Sequence, residues 1–237
     1  MPNWVRTKLT FTGDQNTIDR LKETVKGKTE DNEDVLFDFN KIVPIPEDLK
    51  IPSKSTGDFG MMYLLIKSRS ILSWTEDERL FMERYKKKKE DDPDGFNEDI
   101  ELGRKYLSNI SKYGYTNCYG WCISDDGWCT KWNAQEVQEW KSNSIVFETA
   151  WTFPYNVVMQ LSKQFPELTI EFEYADESAG CNDGKGSFVN GNEIEYEQFN
   201  VDSDEAYQTY FSLWSEYKDM YVYDQKQKTY IIKDDVA

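Results

Sequence analysis

Histidine is missing from all 237 residues. Its absence excludes a Ser-His-Asp triad, a Cys-His dyad, an HExxH protease centre, His-ligated zinc and a haem histidine. Cysteine is scarce, with four residues and no paired CxxC spacing, which argues against a zinc site or a disulfide framework and fits a reducing compartment. No uncharged apolar run reaches the length of a membrane span, and the stretch Met1-Pro2-Asn3-Trp4-Val5-Arg6 lacks the basic and apolar regions of a signal peptide. A cytoplasmic protein without membrane contact is therefore expected. Positive charge is also short: 28 Lys+Arg stand against 44 Asp+Glu, a net charge of −16. Phosphate backbones are held by clustered Lys and Arg, so direct nucleic-acid binding is not expected. Neither a cofactor nor a metal is implied.

Large rings are plentiful. Aromatics make up 15% of the chain, far above what disordered segments carry, so a core built on rings is expected. The charge is uneven. Residues 161–237 hold 17 acids and 6 bases, net −11, whereas residues 1–160 hold 27 and 22, net −5. The acidity thus belongs mainly to the last third.

Residues alternate from Trp4 to Phe11 as in a strand. A helix follows, with Ile18, Leu21 and Val25 on one face, Asp14 or Asn16 as its cap and Gly27 as its end. Val35–Phe39 reads as a second strand. Thr75 and Glu78 form a capping box opening a helix that runs into Lys86–Lys89, a solvated helix end, and Ile100, Leu107 and Ile110 mark another that ends before Gly114. The two helices predict a hairpin inserted at about residues 67–114. Tyr115–Ile123 alternates; as a strand it would set Cys118 and Cys122 roughly 13 Å apart, too far for a disulfide or a shared zinc. Strand, helix and strand return over Ile145–Trp151, Pro154–Phe165 and Leu168–Tyr174. A hairpin turns at Asn190-Gly191, a helix is capped at Asp202–Glu205, and a last strand or hairpin spans Tyr221–Ile232. Two strand-helix-strand units on one antiparallel sheet predict an α+β ferredoxin-like sandwich over residues 1–200, with a C-terminal helix and strand extension at 201–237 packed on it.

Four stretches carry a resemblance. Met1-Pro2-Asn3-Trp4, the run Asn40–Glu47 (NKIVPIPE), the run Trp128–Ala134 (WCTKWNA) and Phe147–Trp151 (FETAW) with Pro154 resemble the YubB-type family of ferredoxin-like proteins of plasmids and phages. Its motifs are an opening MPNW followed by Cys-Asn, F-N-x-I-x-P-x-P-E, W-G-T-K-W-[ND] and F-x-T-A-W-x-P-P. Val5 and Arg6 stand where the family has Cys-Asn, and Cys129 stands where it has glycine. The resemblance implies a ferredoxin-like fold and a mobile-element context, but no particular reaction.

The strongest constellation is Trp128, Lys131, Trp132 and Asn133, with Glu148 and Trp151 on a neighbouring strand. Two indoles flanking a lysine and an amide can stack a ring and hold an anion. The simpler reading is that the tryptophans anchor a loop onto the sheet and Lys131 pairs with Glu148. Asn3 reads as an amide satisfying loose backbone groups. Glu148 with Glu171 or Glu173 is the one carboxylate pair to weigh for acid–base work, although strand glutamates facing water are the default. Asp183-Gly184-Lys185-Gly186 reads as a turn. These observations favour a non-enzymatic interaction protein presenting an acidic surface to a basic host or element-encoded protein. The alternative is a small-molecule or nucleotide binder using the Trp128–Trp151 cluster, and an enzyme ranks last.

Overall fold

The computed structural model describes residues 2–29 and 31–233. Met1 of the MPNW stretch and residues 234–237 of the expected extension lie outside them. The chain divides into two compact units, Met1–Pro44 with Cys122–Ala237, and Ile45–Trp121. No described helix is long and apolar enough to cross a membrane.

The first unit is built on five strands: β1 (Trp4–Thr12), β4 (Ser144–Ala150), β5 (Thr169–Asp176), β6 (Gly184–Val189) and β7 (Asn192–Gln198). They form one antiparallel sheet in the order β4-β1-β5-β6-β7. The labels β2 and β3 belong to a two-residue pair, Gly27–Lys28 with Asp34–Val35. Helix α1 (Gln15–Thr24) follows β1, capped by the Asp14 carboxylate on the Thr17 N–H. Helix α6 (Tyr155–Gln164) carries the chain from β4 over β1 to β5, and α7 (Asp204–Leu213) follows β7. This is the α+β architecture of a ferredoxin-like sandwich. A separate hairpin pairs β8 (Tyr221–Asp224) with β9 (Thr229–Ile232).

Alternation along β1 decides the two sheet faces. Val5, Thr7, Leu9 and Phe11 are fully buried. Their face continues through Phe147, Phe172 and Phe188, with Phe37 stacked on Phe147 at 5.0 Å and Phe153 on Phe172 at 4.5 Å. The other face carries Arg6, Lys8 and Thr10. It is covered near Arg6 and Ala175, where Tyr210, Phe211 and Trp214 pack, and is open toward Lys8, Glu171 and Glu173.

Three local expectations are corrected. The strand predicted over Val35–Phe39 is only the two residues of β3, after which Phe39–Lys41 forms a 3-10 turn. Side chains hold the backbone there: Asp38 accepts from the Asn40 N–H, and Asn133 accepts from the Phe39 N–H. Tyr115–Ile123 is not a strand but holds the short helix α5 (Cys118–Cys122), so the two cysteines lie one turn apart, and neither is in a disulfide. Gly184 opens β6, so Asp183–Gly186 is the start of a strand and not a turn. The Asn190-Gly191 hairpin is as expected: both residues have positive φ, 51° and 72°, which the two-residue turn requires.

The second unit contains three long helices where a hairpin of two is expected: α2 (Ser55–Lys67), α3 (Glu76–Asp91) and α4 (Pro93–Tyr113). The Thr75/Glu78 capping box opens α3, and Gly114, at φ 81°, closes α4. Lys88 does not end in solvent as the lysine run suggested: it pairs with buried Asp99, which also accepts from the Tyr85 hydroxyl. Helix α2 crosses α4 at glycine. A β-carbon on Gly60 would lie 1.8 Å from the Asp99 carbonyl oxygen, and one on Gly103 would lie 2.3 Å from the Met61 nitrogen. Backbone cannot step aside as a side chain can. Gly103→Ala should therefore destabilise the protein by about 1–3 kcal/mol or more, although alanine is the better helix former. Chemical denaturation followed by circular dichroism measures this, and an unchanged or raised midpoint contradicts the close crossing.

Candidate functional site

The six predicted site residues all belong to the first unit, but they do not form one surface. Trp128 is 3% exposed. Its indole N–H donates to the Val43 carbonyl at 2.8 Å and its ring meets Phe39 edge-on at 5.6 Å. Asn133 is a clamp: its amide oxygen accepts from the Phe39 N–H (2.8 Å) and the Ala134 N–H (3.0 Å), while its amide nitrogen donates to Asp38 (2.8 Å). Between them, the Thr130 hydroxyl donates to the Ala150 carbonyl at 2.7 Å. These residues fasten the 128–134 loop to the 38–43 segment and to the end of β4.

Lys131, Trp132 and Trp151 do come together. The Lys131 ammonium lies 4.7 Å from the centre of the Trp132 ring and 5.0 Å from that of Trp151, so two indole faces bracket one cation. Trp132 in turn touches Trp4, with ring centres 5.9 Å apart. Trp151 leaves β4 with φ 73° and is 44% exposed. Cys129 has φ 59°, a left-handed conformation that suits the glycine of the W-G-T-K-W pattern. Burial pushes the Cys129 thiol above its ordinary value.

Glu148 forms its ion pair with Arg6. The strand register sets it opposite Arg6, with β1 separating it from Glu171 and Glu173 on β5, so no carboxylate pair forms there. Arg6 donates to one Glu148 oxygen from Nε (3.1 Å) and Nη2 (2.9 Å). Its Nη1 donates to the Leu213 carbonyl (2.9 Å) and to Glu216 (2.7 Å), and the guanidinium lies 3.7 Å over the Trp214 ring.

A second group escaped the sequence reading. Asp176 and Asp183, at the β5 and β6 ends, are 5% and 1% exposed. Asp176 accepts from the Asn3 amide (3.3 Å), the Ser178 N–H (2.9 Å) and the Asn182 amide (3.4 Å). Asn3 therefore bonds side chains, including Ser178, rather than loose backbone groups. Asn182 also donates to the Trp151 carbonyl at 3.1 Å, which links this group to the indole bracket. Asp183 accepts from the Asp176 N–H through one oxygen, and its other oxygen, Oδ2, is buried without a hydrogen-bond partner. Nothing local in the sequence marks such a residue. Among the described residues no group of three or more His, Cys, Asp or Glu side chains is placed to hold a metal ion.

Residues 127–230 match the family model of the ferredoxin-like domain in Api92-like protein. The Api92-like match takes in Trp128 through Trp151, the strands β4, β5, β6 and β7, and α7, but not β1. A crystal structure of the protein api92 from Yersinia pseudotuberculosis aligns with a TM-score of 0.39 at 10% identity, covering 84% of this chain and 99% of that one. No curated protein matches the chain.

Burial pushes the Asp183 carboxyl up to about 8; the nearby Asp176 adds to the rise, and the Asp176 N–H opposes it. The folded protein thus holds a proton that the unfolded chain releases near ~3.9. Its contribution to stability is complete below that value and falls as pH rises toward about 8. Asp183→Asn cannot ionise, so its stability relative to the parent should climb by roughly 1 kcal/mol per pH unit across that window and level off above it. Paired urea denaturation curves at pH 5, 7 and 9 measure the difference. A gap independent of pH would show that Asp183 is ionised in the fold.

Proposed function

We propose that this protein is a non-enzymatic interaction module that offers an acidic surface to a basic partner protein. The observation that carries this reading is the placement of the charges. Within the first unit the cations at the centre of the sheet face each have an internal counterpart: Arg6 with Glu148 and Glu216, Lys8 with Glu173, and Lys185 with Glu197. Glu171 and Glu195 lie in the next row, whose register neighbours are Thr10 and Ser187, with no base among them. Two acids of residues 161–237, Glu171 and Glu195, thus lie on the open sheet face with no base in their row. Fixed charge of one sign speeds encounter with a partner of the other sign and makes binding sensitive to salt. The YubB-type resemblance adds a mobile-element setting, in which the partner is a host protein or one encoded by the element.

A second reading keeps the indole bracket as a small-molecule or nucleotide site. Supporting it, Trp151 is half exposed beside Lys131, whose ammonium also lies over the Trp132 ring. One experiment separates the two. The tagged full-length protein is used to capture proteins from a lysate at low salt, and its tryptophan fluorescence is titrated with nucleotides in parallel. Recovery of basic proteins, released at high salt and absent when Glu171 and Glu195 are replaced by lysine, supports the acidic-surface reading. No salt-dependent capture, together with quenching by a nucleotide, moves the function to the bracket.

A further inference from the structure

The outer edge of the sheet carries a specific pattern of charge and backbone. β7 is the last strand of the sheet, and all seven of its residues are exposed. An antiparallel edge strand directs alternate N–H and C=O groups away from its partner, where they can pair with a further strand. The register across the sheet makes a charge ladder that alternates strand by strand: Lys8 on β1, Glu173 on β5, Lys185 on β6 and Glu197 on β7. Two of its steps close as ion pairs, Lys8 with Glu173 at 3.7 Å and Lys185 with Glu197 at 3.5 Å. The ladder stops at the edge on a negative residue. One row along, Glu195 sits at the same edge.

The bulge in β7 sharpens this arrangement. Ser187 pairs with Glu195 and Phe188 with Glu193, so Ile194 is the extra residue, 63% exposed. A bulge of one residue shifts the alternation of side chains between its two flanks, so those before and after it no longer keep one face in step. Glu193 accordingly turns to the helix side, where its carboxylate accepts from the Tyr155 hydroxyl at 2.6 Å. Glu195 and Glu197 remain together on the open face, spaced i and i+2.

We infer that the β7 edge from Glu195 to Gln198 is a docking site for a basic extended segment of a partner protein, which adds to the sheet as a sixth strand with lysine or arginine at alternate positions opposite Glu195 and Glu197. This inference rests on the acidic-surface reading and names its contact point. A neutral strand would leave Glu195 without a cation and Glu197 with only its half-exposed partner Lys185. A second copy of this edge would set glutamate against glutamate, which is unfavourable for directly opposed residues. The same two residues that guard the edge against those occupants thus select a basic one. Main-chain bonds supply the affinity and the alternating cations the register.

The test uses the full-length protein and a short synthetic peptide with lysine at alternate positions and valine or threonine between. A second peptide of the same sequence is N-methylated at alternate residues, so it has equal charge but cannot complete a strand ladder. Binding is followed by calorimetry and by amide hydrogen exchange. The unmodified peptide should bind about tenfold or more tightly than the N-methylated one and protect β7 amides. Glu195→Lys with Glu197→Lys should abolish binding, while Glu171→Lys, on the sheet face but not at the edge, should weaken it only slightly. Equal affinity of both peptides, or equal loss from edge and face substitutions, overturns strand addition while leaving the acidic surface in place. No salt-dependent binding of either peptide overturns both.

Discussion

The guanidinium of Arg6 lies flat on the Trp214 indole, forks onto Glu148 and reaches the Leu213 carbonyl and Glu216. One side chain thereby joins the interior strand β1, the edge strand β4 and the end of α7. Its own side chain is 14% exposed and that of Glu148 is 11% exposed, so both charges have lost most of their water and depend on each other. Removing one partner of such a pair costs more than the pair contributes, because the remaining charge stays buried. A second bond fixes the same junction: the Trp214 N–H donates to the Ala175 carbonyl at 3.0 Å. Together they close one end of the sheet face under α7 and leave the other end open.

The functional reading follows from that closure. Cations near the sheet centre are matched within the fold, Lys131 lies between two indoles, and Glu171 and Glu195 stand on the open face with no base in their row. An arginine at position 6, where the YubB-type pattern has asparagine, changes the local chemistry of the strand: it brings in a charge that the fold must neutralise. The neighbouring departure, Cys129, has a backbone cause instead, since its φ of 59° favours glycine and is met here by a small thiol side chain.

Much of the architecture was legible because its signals are local. Alternation in β1 and β5, the Thr75/Glu78 box, Ser203 at the start of α7 and the Asn190-Gly191 turn each act within a few residues. Helix α2 was not legible: Gly57 and Gly60 weaken its propensity, and its apolar residues do not keep to one side, because the reason for Gly60 lies on α4. The candidate site was legible only as residue types. Asn133 finds its partners at positions 38 and 39, Glu148 finds Arg6, and Asp183 is set apart by a partner it lacks. Such relations appear only once register brings distant segments together.

The Arg6–Glu148 clasp is the claim on which the arrangement of charges stands, and a double-mutant cycle tests it most directly. Arg6→Met, Glu148→Gln and the double variant would be compared with the parent by urea denaturation. Each single change is predicted to cost about 3–5 kcal/mol, and the double change less than their sum by roughly 1–3 kcal/mol. Additive losses would contradict the clasp, since the two side chains would then contribute independently.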